Sequence, residues 1–381
     1  MSRQLHTVIV LAAGGTGGHM FPAEALAREL GARGFALALM TDRRGASFGE
    51  VAGVEVHRIH AAQIAGNVIR KAAATIEIAR GYFEARRLLR ELGPAVVVGF
   101  GGYASLPTML AAIGSHILTL IHEQNAVLGR ANRMLASRVD AIATSFEEVQ
   151  MLPHRMSAQM RRTGNPVRPE IAALSNEPYP APEPGGTLNL LITGGSQGAA
   201  VFGALVPAAV ALLEPELRGR LRLVQQCRPE HIDEVDRFYK EIGVAAELRP
   251  FFTDMPDRLR RAQLVIGRAG ASTVAEITVA GRPSILIPFP AAMDDHQTAN
   301  ARALLRQRAA WLASQEGITP EKLKDMLAAI LAEPARLVEV AKRAREVGIP
   351  NAATRLADMV AGLVSDGGRR QLLRAKSRNA A

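Results

Sequence analysis

Val8-Ile9-Val10-Leu11-Ala12-Ala13-Gly14-Gly15-Thr16-Gly17-Gly18-His19 is the stretch that decides the fold. Its apolar run is too short for a core helix and reads as a strand buried on both faces. The glycines then turn the chain sharply, and Pro22 opens a helical stretch over Ala23 to Leu30. The same order returns at Leu188 to Thr193, where the strand runs into Gly194-Gly195-Ser196-Gln197-Gly198-Ala199 and a helix-compatible run from Val201 to Leu213. The glycine loops lie 180 residues apart. Two halves that each open with strand, glycine loop and helix imply an α/β chain of two doubly wound, Rossmann-like domains facing each other across a cleft.

Other short apolar runs fill in the pattern. Ala36 to Met40, Ala95 to Val98, Ile117 to Ile121 and Ala141 to Ala143 read as buried parallel strands of the first half. Arg222 to Gln226, Leu264 to Ile266 and Ser284 to Ile287 read as those of the second. Between the halves, the alternating prolines of Pro178 to Gly186 can continue neither a helix nor a central strand. The expected layout is a domain over 1–165, a linker over 166–187, a domain over 188–350, a closing helix over 351–366 and a basic, mobile tail over 367–381.

A chain of 381 residues suits two domains, and 48% hydrophobic against 22% charged residues supplies cores and excludes a disordered chain. The lone Cys227 can form no internal disulfide, so a reducing compartment is expected. Lys and Arg number 46 against 36 Asp and Glu, a net +10 that favours anionic partners. Only 4% of residues are aromatic, too few for the stacking platforms of single-strand binders, and nucleic acid is not expected as a partner. Leu92 to His122 carries no charge apart from its histidines and is long enough to span a bilayer. Gly93, Pro94, Gly99, Gly101, Gly102, Pro107 and Gly114 divide it into pieces too short to do so.

Glycines after a strand let the backbone approach a ligand, while the next helix points its unpaired N–H groups at the same place, which suits an anion. The alternative is a tight structural turn. The first loop misses the dinucleotide fingerprint, because Gly15 and Gly17 leave Met20 at the third glycine position, while Asp42 after a candidate second strand keeps that rival open; neither loop is closed by the Lys-Ser or Lys-Thr of a P-loop. His19, at the start of a helix, suits a general base that resists protonation; packing or capping is its other reading. A third loop, Gly267-Arg268-Ala269-Gly270-Ala271-Ser272-Thr273, follows the strand Leu264 to Ile266. Glu276, a helical turn past Ser272, would face a ligand held there; a carboxylate accepts two hydrogen bonds, as paired ribose hydroxyls require. It could equally be an acid favoured by the helix dipole.

GGTGGHMFPA (Gly14 to Ala23), GFGGYASLP (Gly99 to Pro107), HEQN (His122 to Asn125), GNPVR (Gly164 to Arg168), GGSQGA (Gly194 to Ala199), GRAGASTVAE (Gly267 to Glu276) and DDHQTANA (Asp294 to Ala301) occur in this order. Together they resemble the MurG family, bacterial glycosyltransferases that attach N-acetylglucosamine to lipid I to make lipid II. The resemblance covers the chain to about Gly362. It implies the GT-B architecture and an inverting reaction that uses neither metal nor cofactor. It places the donor diphosphate on Ser196, Gln197 and Arg168, the ribose on Glu276 beside Ala271, Ser272, Thr273, Val274 and Ala275, and the uracil on Phe252. Gln297, and Asn125 from the other domain, would meet the transferred sugar. Thr16, Gly17 and Gly18 would line the cleft, with His19 as the catalytic base. Independently, an attacking hydroxyl needs a base within hydrogen-bond reach, and Glu123 is a second candidate whose other reading is an ordinary cap beside a loop. Asp294 and Asp295 are read as loop and helix-start acids.

The implied partners are UDP-N-acetylglucosamine, lipid I, an anionic phospholipid surface and other cell-wall synthesis proteins. The implied location is the cytoplasmic face of the inner membrane, held peripherally. Asn67 to Arg90 fits this, with Ile69, Ile76 and Phe83 at seven-residue spacing among Arg70, Lys71, Arg80, Arg86, Arg87 and Arg90. A core-facing stripe is the alternative. Competing functions are another GT-B-type enzyme, such as a UDP-N-acetylglucosamine epimerase or a glycolipid glycosyltransferase, and a non-enzymatic basic nucleotide-binding membrane protein.

Overall fold

A computed structural model describes residues 7–15, 17–42, 53–63, 67–153, 160–195 and 200–379, with the side chains of 17, 68–72 and 366–379 excepted. The chain divides into two compact units, Met1–Val167 with Asn351–Ala381, and Arg168–Pro350.

The first unit is built on a parallel sheet of β1 (Val8–Ala12), β2 (Ala36–Thr41), β3 (Val54–Arg58), β4 (Val96–Gly99), β5 (Leu118–Glu123), β6 (Ala141–Thr144) and β7 (Met160–Arg162). Its strand order is β3-β2-β1-β4-β5-β6-β7. Side chains alternate across a strand, so Ile9 and Leu11 join one core and Val10 and Ala12 the other, which is why the run is apolar without interruption. The second unit repeats the plan with β8 (Leu188–Thr193), β9 (Leu221–Gln226), β10 (Ala245–Arg249), β11 (Leu264–Gly267), β12 (Ser284–Leu286) and β13 (Trp311–Leu312), ordered β10-β9-β8-β11-β12-β13. In each sheet the order reverses beside the opening strand, at β1/β4 and at β8/β11. Loops leaving the C-terminal ends of such a strand pair diverge and leave a crevice for a ligand. All three glycine loops read from the sequence, and the Gly99–Gly102 turn, leave these strands.

Several elements differ from expectation. The first helix spans Gly17–Ala32, so Pro22 lies inside it and His19 stands in its first turn. The only acceptor Pro22 forgoes is the Gly18 carbonyl near the helix start, a loss the end of a helix tolerates. The proline-rich stretch does not separate the units. The boundary falls between Val167 and Arg168, and Pro169–Ala173 is already helical. Tyr179 packs on the second core and donates its hydroxyl to the Gln263 carbonyl at 2.7 Å, so prolines here shape a docked segment. The last helix, Ala352–Asn379, runs on through the residues expected to form a mobile tail. Two glycines without a proline cost a helix only about 1 kcal/mol each. That helix belongs to the first unit, where Leu356, Ala357 and Val360 are fully buried against the sheet.

Candidate functional site

In the first unit the site grows from the β1, β4 and β5 ends. Gly101 and Gly102 have φ of 82° and 69°, a region side chains disfavour, and the His19 ring lies over them. A Cβ on Gly102 would come within 3.3 Å of His19 Cδ2 and 3.4 Å of Nε2, so the paired glycines of GFGGY make room for the imidazole. His19 is half-buried. Behind it, His122 is wholly buried and its Nε2–H donates to the Gly164 carbonyl at 2.9 Å. Burial drives the His122 pKa down to about 4, partly opposed by that hydrogen bond, while neighbouring His19 adds a smaller push in the same direction. His122 is a neutral structural histidine.

Glu123 is 1% exposed and both its oxygens are engaged. Oε1 accepts the backbone N–H of Asn125 at 2.9 Å and its Nδ2 at 3.3 Å. Oε2 accepts Gly129 N–H and Asn132 Nδ2, both at 2.8 Å. With both oxygens so committed, Glu123 folds the 124–129 turn that leaves Asn125 half-exposed. Gln124 fixes the other side of this turn, donating Nε2 to the Phe100 carbonyl at 2.8 Å.

In the second unit, Gly194 N–H donates to Gln226 Oε1 at 2.9 Å. Gln226 Nε2 returns to the carbonyls of Gly195 at 3.0 Å and Pro250 at 3.1 Å. This buried amide, not singled out from the sequence, joins the second glycine loop to the segment carrying Phe252. Its signal was present in LRLVQQ, where an apolar strand ends in two glutamines. Gly195 has φ 78°, and a Cβ there would stand 4.0 Å from Thr273 Oγ1, so the second and third loops lie side by side. Ser196 and Gln197, like Thr16 in the first unit, lie outside the described residues.

Helix Ala271–Ala280 opens after Gly270 with no side-chain cap, which leaves its first N–H groups for a ligand. Ala271, Ser272 and Thr273 are half-buried, and Ser272 Oγ has no hydrogen-bond partner among the described residues. Val274 points into the core, and Ala275 is half-buried. Glu276 Oε1 accepts from Arg168 Nη2 at 3.0 Å and Nε at 3.3 Å. Burial raises the Glu276 pKa above the usual carboxylate range and the Arg168 cation opposes the rise. The expected diphosphate ligand Arg168 is thus also the counterion of the expected ribose ligand.

Phe252 is 4% exposed and the Arg258 guanidinium lies over its ring at 5.5 Å, so the ring presents no open stacking face. Gln297 stands in the first turn of helix His296–Arg306, its Oε1 accepting Phe289 N–H at 2.9 Å. Asp294 and Asp295, both left-handed at φ 53° and 51°, form the turn before it.

Fold and site together define a two-domain, Rossmann-like nucleotide-binding protein of the GT-B class. The model of the glycosyltransferase family 28 N-terminal domain matches residues 9–144, and that of the family's C-terminal domain matches 189–356. A UDP-N-acetylglucosamine–N-acetylmuramyl-(pentapeptide) pyrophosphoryl-undecaprenol N-acetylglucosamine transferase of Rhodospirillum centenum is 57% identical over 93% of this chain and 94% of its own length. Its namesake in Rhodospirillum rubrum is 54% identical over 92% and 91%. The crystal structure of Acinetobacter baumannii MurG superposes with a TM-score of 0.78 at 31% identity, covering 93% of this chain and 99% of that one. A UDP-GlcNAc 2-epimerase of Neisseria meningitidis, at 11% identity and TM-score 0.65, shares the fold alone. The chain belongs to glycosyltransferase family 28 and, within it, to the MurG family.

Proposed function

We propose that this protein transfers N-acetylglucosamine from UDP-N-acetylglucosamine to the muramyl 4-hydroxyl of undecaprenyl-pyrophosphoryl-N-acetylmuramoyl-pentapeptide, lipid I, giving lipid II and UDP with inversion. The observation that carries the donor half is the Arg168–Glu276 pair one turn inside the uncapped start of helix Ala271–Ala280. Glu276, beside Arg168, accepts the ribose hydroxyls, and the backbone near Phe252 meets the uracil. The glycine loop that opens the second unit cradles the diphosphate through Ser196 and Gln197. Main-chain N–H donors and a cation stabilise the charge that grows there as the C1–O bond breaks. Arg168 supplies that cation.

In the first unit His19 takes the proton of the acceptor hydroxyl as its oxygen bonds to C1, since an alcohol is too weak an acid to lose the proton unaided. Asn125, held out by Glu123, contacts the sugar, and Gly17, Gly18 and Thr16 line the approach. The acceptor is a lipid, and helix Val68–Leu92 offers a membrane-facing surface on which Ile76 is 57% and Phe83 66% exposed among Arg80, Arg86, Arg87 and Arg90. No helix among the described residues is long and apolar enough to cross a membrane. Peripheral attachment to an anionic leaflet at the cytoplasmic face, near other cell-wall synthesis proteins, follows from this reading. The test is UDP release from UDP-N-acetylglucosamine with and without a lipid I analogue. Release that requires the analogue, with formation of the β-linked disaccharide, is expected; epimerised sugar without acceptor would overturn the proposal.

A further inference from the structure

Arg268 is a buried cation without a buried anion. It is 7% exposed and has no carboxylate within ion-pair distance among the described residues, a costly arrangement unless its N–H groups are all used. Those of Nη1 go to one short segment. Strand β12 ends at Leu286, and the Ile287 N–H still reaches the Gly267 carbonyl at 2.8 Å, but the next carbonyls have no ladder partner. Arg268 Nη1 donates to both, Ile287 at 3.0 Å and Pro288 at 3.1 Å, and Nη2 donates to Gln315 Oε1 at 2.6 Å. Phe202 and Phe289 flank the guanidinium at 5.1 and 5.4 Å.

The clamp has a consequence one residue on. With carbonyls 287 and 288 fixed, the Phe289 N–H points at Gln297, and because a backbone N–H only donates, it selects the oxygen end of that carboxamide. The NH₂ end is left as a donor. Asn300, one turn further along the same helix, donates Nδ2 to the Ala269 carbonyl at 2.9 Å and so ties this helix to the residue next to Arg268.

We propose that Arg268 is a positioning residue for the transferred sugar: it clamps residues 287–289 and thereby decides which end of the Gln297 carboxamide meets a sugar hydroxyl. This rests on the reading above in which Gln297 contacts the sugar of UDP-N-acetylglucosamine. It adds that sugar recognition is set from beneath by a residue that never touches the donor, with Gln315 as its outer anchor.

The experiment is calorimetric titration of the full chain with UDP and with UDP-N-acetylglucosamine, the ratio of the two affinities reporting the sugar alone. Arg268→Lys keeps the charge but cannot bridge two carbonyls. It should leave UDP affinity within about twofold while cutting the sugar's contribution by about tenfold, the weight of one hydrogen bond. Gln315→Leu, which spares Arg268 if the first variant folds poorly, should act in the same direction and less. In a Gln297→Ala background, Arg268→Lys should change the ratio no further, since residues acting through one contact are not additive. Equal losses for UDP and UDP-N-acetylglucosamine, or an undiminished effect in that background, would overturn the proposal. If Gln297→Ala alone left the ratio intact, the underlying reading of Gln297 would fail instead.

Discussion

His19 and Glu123 are both candidates for the base, and their surroundings differ. The imidazole lies over two glycines whose missing Cβ atoms leave it space, whereas the Glu123 carboxylate accepts three hydrogen bonds from its own loop and one from Asn132 of helix Arg130–Leu135. His19→Ala should therefore lower kcat by about 10²- to 10⁴-fold, the usual weight of a general base, while the donor Kd measured by calorimetry stays put. Glu123→Gln should act on folding as well. It turns an NH₂ toward donors that need an acceptor, so thermal or urea unfolding should show a loss of about 1–3 kcal/mol. Unaltered stability with lost turnover would return Glu123 to the chemistry. Arg168 and Glu276 carry a pH signature. Protonating Glu276 removes a hydrogen-bond acceptor for the ribose, so donor affinity falls on the acid side. Arg168→Ala removes the cation that opposes the raised pKa, and the acid limb of a UDP titration should move to higher pH.

Among the elements, the helix Val68–Leu92 and the edge strands obey different rules from the core. The stripe read from Ile69, Ile76 and Phe83 is not core-facing where its side chains are described, because Ile76 and Phe83 are the outward residues while Ala74, Ala85 and Leu89 are buried. Ile69, Arg70 and Lys71 lie outside the described side chains. Changing Ile76 and Phe83 to Ser should weaken binding to anionic liposomes by at least about tenfold in a co-sedimentation assay, while turnover on a soluble acceptor persists. Unchanged sedimentation would remove the stripe from the membrane account. The central strands were legible because residues buried on both faces make unbroken apolar runs. β3, β7, β10 and β13, the four edges, were not foreseen: VEVHR, MRR, AAELR and WL are partly exposed along their length and carry charges or stop after two residues. An edge strand has one pairing partner and need not be apolar.

At the scale of the molecule, the first unit is completed by a segment that the chain supplies only after building the second. Leu356 and Val360 are fully buried beneath the first sheet, and Arg33 reaches Asp358 at 2.7 Å and the Thr354 carbonyl at 3.2 Å. Leu356→Ala should cost about 2–5 kcal/mol, read as an earlier unfolding transition, although it lies far along the chain from the sheet it covers. Acid should act on the same unit through His122. Its pKa is about 4 folded against 6.5 unfolded, so between these values the unfolded chain binds the extra proton and stability falls as pH falls. The gap corresponds to roughly 3 kcal/mol, and His122→Asn should flatten the pH dependence of urea unfolding across this window.

The sequence by itself determined the two sheets, the places of the glycine loops and the family, because strands buried on both faces and glycines at sharp turns are local requirements written in consecutive residues. It also marked Arg168, Glu276, His19 and Gln297. Only the tertiary structure decided which polar groups are engaged with one another. That Glu123 is spent on its own turn, that Arg168 lies on Glu276, that Gln226 joins two loops, and that the last helix closes the first unit are all matters of contact between residues distant along the chain. Hydrogen bonds and burial depend on where the fold carries a side chain, and no spacing between neighbours records that.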